Sequence, residues 1–174
     1  MPARPTYFTI QSDTYRFPKL FSLALQQVYD KTFIIMQAFT QEINTYHIPT
    51  TYVMLQKHLP SVLKSTCFND EQLPFFEEVK ATEIGHLFEH ILLEYLCEGK
   101  IALGYEYAVF NGVTNWNWKI DPYGMFHITI NAGYREDGEI FADALEKTIT
   151  LMKLILRSHV VSRMDSHPFL FDLA

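Results

Sequence analysis

The 174-residue sequence predicts an α+β fold, a mainly antiparallel sheet with packed helices on at least one side, and three observations carry that expectation. Runs rich in β-branched and aromatic residues recur at 5–11, 32–39, 102–110 and 125–130, bounded by turn-forming residues. Two longer stretches, 81–98 and 140–157, carry apolar residues at helical spacing. With 48% hydrophobic and 15% aromatic residues the chain can fill one core, and its length is that of one domain, residues 1–174, without internal repeats.

In chain order, Tyr7, Phe8, Thr9 and Ile10 predict a first strand, with Ser12-Asp13-Thr14 as the turn that ends it. Pro18 sits where a helix starts, and Leu20, Phe21, Leu23, Leu25, Val28 and Tyr29 predict that helix to run to Asp30. Thr32 to Phe39 reads as a strand and 41–49 as a loop. Thr50 or Thr51 then caps a helix containing Val53, Leu55 and Leu59, ending near Pro60. Residues 61–73 predict a short helix and a polar loop. A long helix follows within 75–97, broken around Lys80, with Gly99 as its stop signal.

The strands expected at 102–110 and 125–130 are joined by a turn-rich insertion, 111–124, that carries Trp116 and Trp118. Burial of these indoles would make them structural, and exposure would mark a binding surface. From Ile140 to about Arg157 the periodicity predicts a last helix, with Met152 on its apolar face, and the tail 158–174 is expected to pack through Phe169, Leu170 and Phe171.

A net charge of −6 argues against a nucleic-acid surface, and no Gly-rich phosphate loop, Ser-His-Asp order or basic-aromatic stripe occurs. There is no run of about 18 apolar residues to enter a membrane, and the N-terminal residues lack an apolar signal region. Cys67 and Cys97 are too few for a disulfide framework. Together these features predict a cytoplasmic protein.

The chemistry concentrates in 81–98, where His86, Glu89 and His90 stand in the order His-x-x-Glu-His. On a helix the two histidines lie one turn apart on one face, with Glu89 beside them and Glu94 one turn further, while Ile84, Leu87, Phe88, Ile91, Leu92 and Tyr95 fall roughly opposite. Imidazoles at i and i+4 start about 5 to 6 Å apart and can share one Zn ion. The intervening Glu89 is placed to take a proton from a metal-activated water, as in the inverted zincin arrangement. The competing reading is a solvated helix face. A catalytic zinc needs a third protein ligand from elsewhere in the chain. Cys97, about 10 Å along the axis from His90, is too far and reads as packed. His47, His58, His127, His159 and His167 read as ordinary surface or core histidines.

From Leu59 to about Ile155 the sequence resembles the N-terminal domain of cyanophycin synthetases, which in those enzymes precedes an ATP-grasp and a Mur-ligase-like domain. Leu59-Pro60-Ser61 with Cys67 is similar to that family's Leu-Pro-(Gly/Ser)-Leu stretch ending in Cys, and Thr82-x-x-Gly85-His86-x-x-Glu89-His90-Ile91-x-Leu93-Glu94 to its Gly-Thr-x-Leu-Gly-His-x-x-Glu-His-x-Ala-Leu-Glu. Gly124-Met125-Phe126-His127-Ile128 resembles its Gly-Val-Tyr-x-Val strand, and Glu136 to Ala142 falls where its last helix opens. The chain departs from the pattern at Ser65, at Tyr105-Glu106-Tyr107-Ala108 and in the Trp-containing insertion.

The resemblance implies a zinc metallopeptidase-like domain, similar in motif to the pitrilysin and insulin-degrading type proteases. It also points to Glu136 as third ligand, because Glu136 matches a family Glu and opens a helix expected beside the motif helix; Glu139 and Glu94 are the alternatives. Charge complementing the helix dipole would equally explain Glu136. Glu94 fits better as a partner holding the His90 ring. The expected function is zinc-dependent hydrolysis of a peptide or isopeptide bond with Glu89 as general base, against a non-catalytic module that binds a peptide or partner protein in the same cleft. A third arrangement has the metal structural, its fourth position closed by a ligand such as Cys97 or a carboxylate.

Overall fold

The computed structural model describes residues 11–68 and 72–165, and within them five strands form one antiparallel sheet in the order β1-β2-β3-β5-β4. The strands are β1 (Gln11–Phe17), β2 (Phe21–Gln27), β3 (Thr32–Ala38), β4 (Gly112–Asn115) and β5 (Met125–Ile130). The helices are α1 (Thr50–His58), α2 (Phe75–Glu78), α3 (Ile84–Ala102) and α4 (Gly138–Asp165). The α+β expectation holds.

Phe21, Leu23, Leu25, Ile34, Met36, Phe126 and Ile128 alternate onto the buried face of the sheet, while Phe33, Ile35 and His127 lie on the exposed one. Helices therefore cover one face, as in many antiparallel sheets. Buried Leu87, Phe88 and Ile91 of α3 and Ala144, Met152 and Ile155 of α4 complete the core. No helix among the described residues is long and apolar enough to cross a membrane.

Several local expectations are corrected. The helix expected from Pro18 to Asp30 is strand β2, and its burial alternates with period two: Phe21, Leu23 and Leu25 in, Ala24 and Gln26 out. Pro18 instead sits in the hairpin turn, where Lys19 takes φ 66° and Leu20 N–H donates to Phe17 C=O at 3.0 Å. Ser12, Asp13 and Thr14, expected as a turn, are strand residues paired with β2. The expected strand at 102–110 appears further on, as β4. The break near Lys80 is present, between α2 and α3. Helix α3 passes Gly99 and ends before Gly104, which has φ 93°. Tyr7 to Ile10 and Phe169 to Phe171 lie outside the described residues.

Gly85 is what lets α3 lie against the sheet. A Cβ there would come 2.3 Å from Phe126 Cγ and 2.5 Å from Cδ1, with Phe126 itself buried and its ring against Trp116 and Trp118. Gly85→Ala is expected to cost about 1–3 kcal/mol through overpacking, despite alanine's better helix propensity, and a urea titration would read this as a lower midpoint. An unchanged or higher midpoint would show that α3 does not rest on Phe126.

Candidate metal centre

Glu83 caps the start of the motif helix in extended backbone, and Thr82 before it is anchored where Thr45 N–H donates to Thr82 C=O at 2.8 Å and Thr82 N–H to Thr45 Oγ1 at 2.8 Å. The first two turns then carry His86, Glu89 and His90. The two imidazoles face each other with Nε2 atoms 3.1 Å apart. Thr82 Oγ1 lies 2.8 Å from His86 Nδ1, so a proton on Nδ1 given to that hydroxyl leaves the Nε2 lone pair turned toward His90. Glu78 Oε1 lies 3.8 Å from the same Nδ1.

The third group is Cys67. A small hook holds it over α3: Cys67 N–H donates to Leu73 C=O at 3.0 Å, Phe75 N–H to Ser65 C=O at 2.9 Å, and Thr66 and Pro74 form a bridge. Buried Cys67 thereby brings Sγ to 3.4 Å from His86 Nε2. Phe75, which opens α2 at the end of the hook, stacks on His90 with centroids 4.0 Å apart and planes 17° apart.

One ligand atom from each of Cys67, His86 and His90 lies within 4.8 Å of the others. Tetrahedral zinc with Zn–N near 2.0–2.1 Å and Zn–S near 2.3 Å requires N···N of about 3.3 Å and N···S of about 3.6 Å. The two edges that meet at His86, 3.1 Å and 3.4 Å, lie close to that demand, the third lies within 4.8 Å, and one thiolate with two imidazoles is a donor set zinc accepts.

Glu136 is not brought to this cluster. Helix α4 runs antiparallel to α3, with Ile140 against Gly99 and Lys147 over the Tyr95 ring, so its start meets the C-terminal end of the motif helix. There Asp137 pairs with Lys100 at 2.6 Å, and exposed Glu136 and Glu139 lie beside them, roughly 15 Å along α3 from His90. Glu94 lines the same cleft as the cluster, one turn past His90, but His90 finds its ring partners in His86 and Phe75. Cys97 also lines the cleft, outside the ligand group. Nothing in the spacing of Cys67, 19 residues before His86, marks it as a ligand; its place in the matched Leu-Pro…Cys stretch was the signal available.

Glu89 and His90 are 5% and 8% exposed. Burial raises the Glu89 carboxyl to about 7 against the opposing effect of a hydrogen bond from Thr114 Oγ1, and burial together with His86 lowers His90 to about 3. Burial lowers His86 as well, against Glu78. The cleft beside these groups, about 450 Å³, is walled by 65–68 on one side and 108–114 on the other. Its acidic lining residues are Glu78, Glu83, Glu89 and Glu94, and no Lys or Arg lines it among the described residues. Trp116 is part of this wall and is 37% exposed, whereas Trp118 is half-buried and donates Nε1–H to Met125 C=O at 3.1 Å. The two indoles thus divide between the two expectations.

These shifts make the stability of the metal-free protein depend on pH. Glu89, raised from 4.5 to about 7, contributes stability that is complete below pH 4.5 and lost as pH rises to about 7; His90, lowered from 6.5 to about 3, contributes stability complete above pH 6.5 and lost as pH falls to about 3. Between pH 4.5 and 6.5 the Glu89 and His90 slopes oppose, and His86, also lowered, adds to the rising side as pH approaches 6.5. Chemical denaturation of metal-free protein should therefore show stability rising less steeply over that window than in Glu89→Gln, where the histidines are unopposed. An equally steep rise in both proteins would mean Glu89 is ionised in the folded state.

A family model described as the cyanophycin synthase-like N-terminal domain matches residues 33–152, which take in nearly all of β3, Cys67, the motif helix and the first half of α4. No curated protein matches the chain.

Proposed function

Because the chain belongs to the family of cyanophycin synthase-like N-terminal domains, we propose that it is a zinc-dependent hydrolase of peptide or isopeptide bonds. The observation that carries this reading is the Cys67, His86 and His90 donor set at zinc spacing with a buried, proton-poised Glu89 on the same two turns of helix. Three protein ligands leave one position open, which is the pattern of catalytic rather than structural zinc. Bound there, zinc would supply Lewis acidity to polarise the scissile carbonyl and acidify a water.

Glu89 takes the proton from the attacking water and delivers it to the leaving amine, the general acid–base role of a carboxylate placed beside the metal ligands. Backbone groups support a peptide as substrate. β4 is the sheet's edge strand; Asn131 N–H reaches Asn111 C=O, so along the ladder Gly112 and Thr114 turn their N–H and C=O away from β5, toward the cleft side. An extended chain laid along that edge finds partners for its own amides. Glu78, Glu83 and Glu94 of the lining favour a substrate that carries positive charge.

The test is to load purified protein with zinc, measure metal content, and incubate it with a peptide library that includes isopeptide-linked members, reading cleavage by mass spectrometry with a chelated control. Zinc near one equivalent and chelator-sensitive cleavage are expected. Less than about a tenth of an equivalent after dialysis against zinc would end the metal reading. Stoichiometric zinc without cleavage would leave a binding module.

A further inference from the structure

We propose that Thr114 is a positioning residue for Glu89, and that β4 runs close over α3 so that its two inward positions fix the Glu89 carboxylate in one place. The proposal rests on the role given to Glu89 above and adds the group that aims it.

Gly112 and Thr114 are half-buried and alternate with exposed Val113 and Asn115, so these two face α3. Thr114 Oγ1 donates to Glu89 Oε2. At Gly112 a Cβ would stand 2.8 Å from Glu89 Oε1 and 3.0 Å from its Cγ, with Ile130 Cδ1 at 2.9 Å on the other side. One carboxylate oxygen is therefore held by a hydroxyl, and the other lies against bare backbone. A glutamate has three rotatable side-chain bonds, and burial without an anchor leaves it several staggered positions. With Thr114 as donor and Gly112 as the vacant neighbour, one position remains. The strand whose free edge borders the cleft also sets the base.

Two measurements decide the matter. In metal-free protein, NMR three-bond couplings along the Glu89 side chain should report one rotamer for the native protein and for Thr114→Ser, which keeps the hydroxyl, and averaged values for Thr114→Val. Gly112→Ala, which keeps the hydroxyl but crowds Oε1, should shift the couplings to a different rotamer, and serves if the valine variant does not fold. Single-rotamer couplings in Thr114→Val, or unchanged couplings in Gly112→Ala, would overturn the proposal. In zinc-loaded protein, acetohydroxamate should bind about tenfold more weakly to Thr114→Val than to the native protein or Thr114→Ser, with zinc affinity unchanged, because its hydroxyl gives its proton to an aimed carboxylate. Equal binding by native protein and Thr114→Val would count against Thr114. If Glu89→Gln also binds acetohydroxamate as tightly as the native protein, the reading of Glu89 as base fails instead, and the couplings still decide Thr114.

Discussion

Replacing Cys67 by Ser is expected to weaken zinc binding by about a hundredfold or more, while Glu136→Gln leaves it unchanged. The magnitude is a floor: losing an outer partner of a ligand already costs about 10–100-fold, and Cys67 is placed as a ligand itself, with Sγ 3.4 Å from His86 Nε2. A serine hydroxyl is short, hard and protonated at neutral pH, so it supplies neither the reach nor the charge of a thiolate. Competition with a chromophoric chelator measures both variants on one scale. Cys67→Ser within about threefold of the native protein would show that the metal takes two histidines and some other group. A comparable loss in Glu136→Gln would require the start of α4 to reach His90, against its place beside Lys100. Because Cys67 must be deprotonated to bind, the native affinity should also fall as pH is lowered, more steeply than in the serine variant.

Much of this molecule could be read from its sequence, and the parts that could not have physical reasons. His86, Glu89 and His90 are local: a helical period places them together whatever the rest of the chain does, and the helix did form there. Thr32–Ala38 and Met125–Ile130 are rich enough in β-branched and aromatic residues to declare themselves strands. β2 misleads because Leu20 and Val28, just outside it, complete a helical spacing around the alternating Phe21, Leu23 and Leu25. There the partner strands decide, since β1 and β3 flank it on both sides. The contribution of Cys67 depends on 65–68 and 72–75 pairing over α3, and the exclusion of Glu136 on the antiparallel course of α4. Both are matters of tertiary contact that a single sequence does not display. The Thr114 contact with Glu89 is of the same kind, since β4 reaches α3 only through its pairing with β5.

Glu89→Gln is expected to lower turnover by about 10²–10⁴ on any substrate the zinc-loaded protein cleaves, with zinc affinity and fold retained. Gln keeps the shape and hydrogen-bonding reach of Glu but cannot accept a proton, so the loss isolates proton transfer from positioning. The same variant has a signature that needs neither metal nor substrate. In the native metal-free protein the Glu89 contribution falls with pH between 4.5 and 6.5 while those of His90 and His86 rise, so the trends oppose. Without a carboxyl at 89 the histidine limb is unopposed, so Glu89→Gln should gain stability from pH 4.5 to 6.5 more steeply than the native protein. Denaturation midpoints across that window give the comparison directly. A Glu89→Gln protein that hydrolyses substrate normally yet shows the rising limb would place Glu89 as a buried structural acid. One that loses hydrolysis while its stability follows the native pH profile would locate the perturbed proton on another group, leaving Glu89 ionised and its role in the reaction electrostatic.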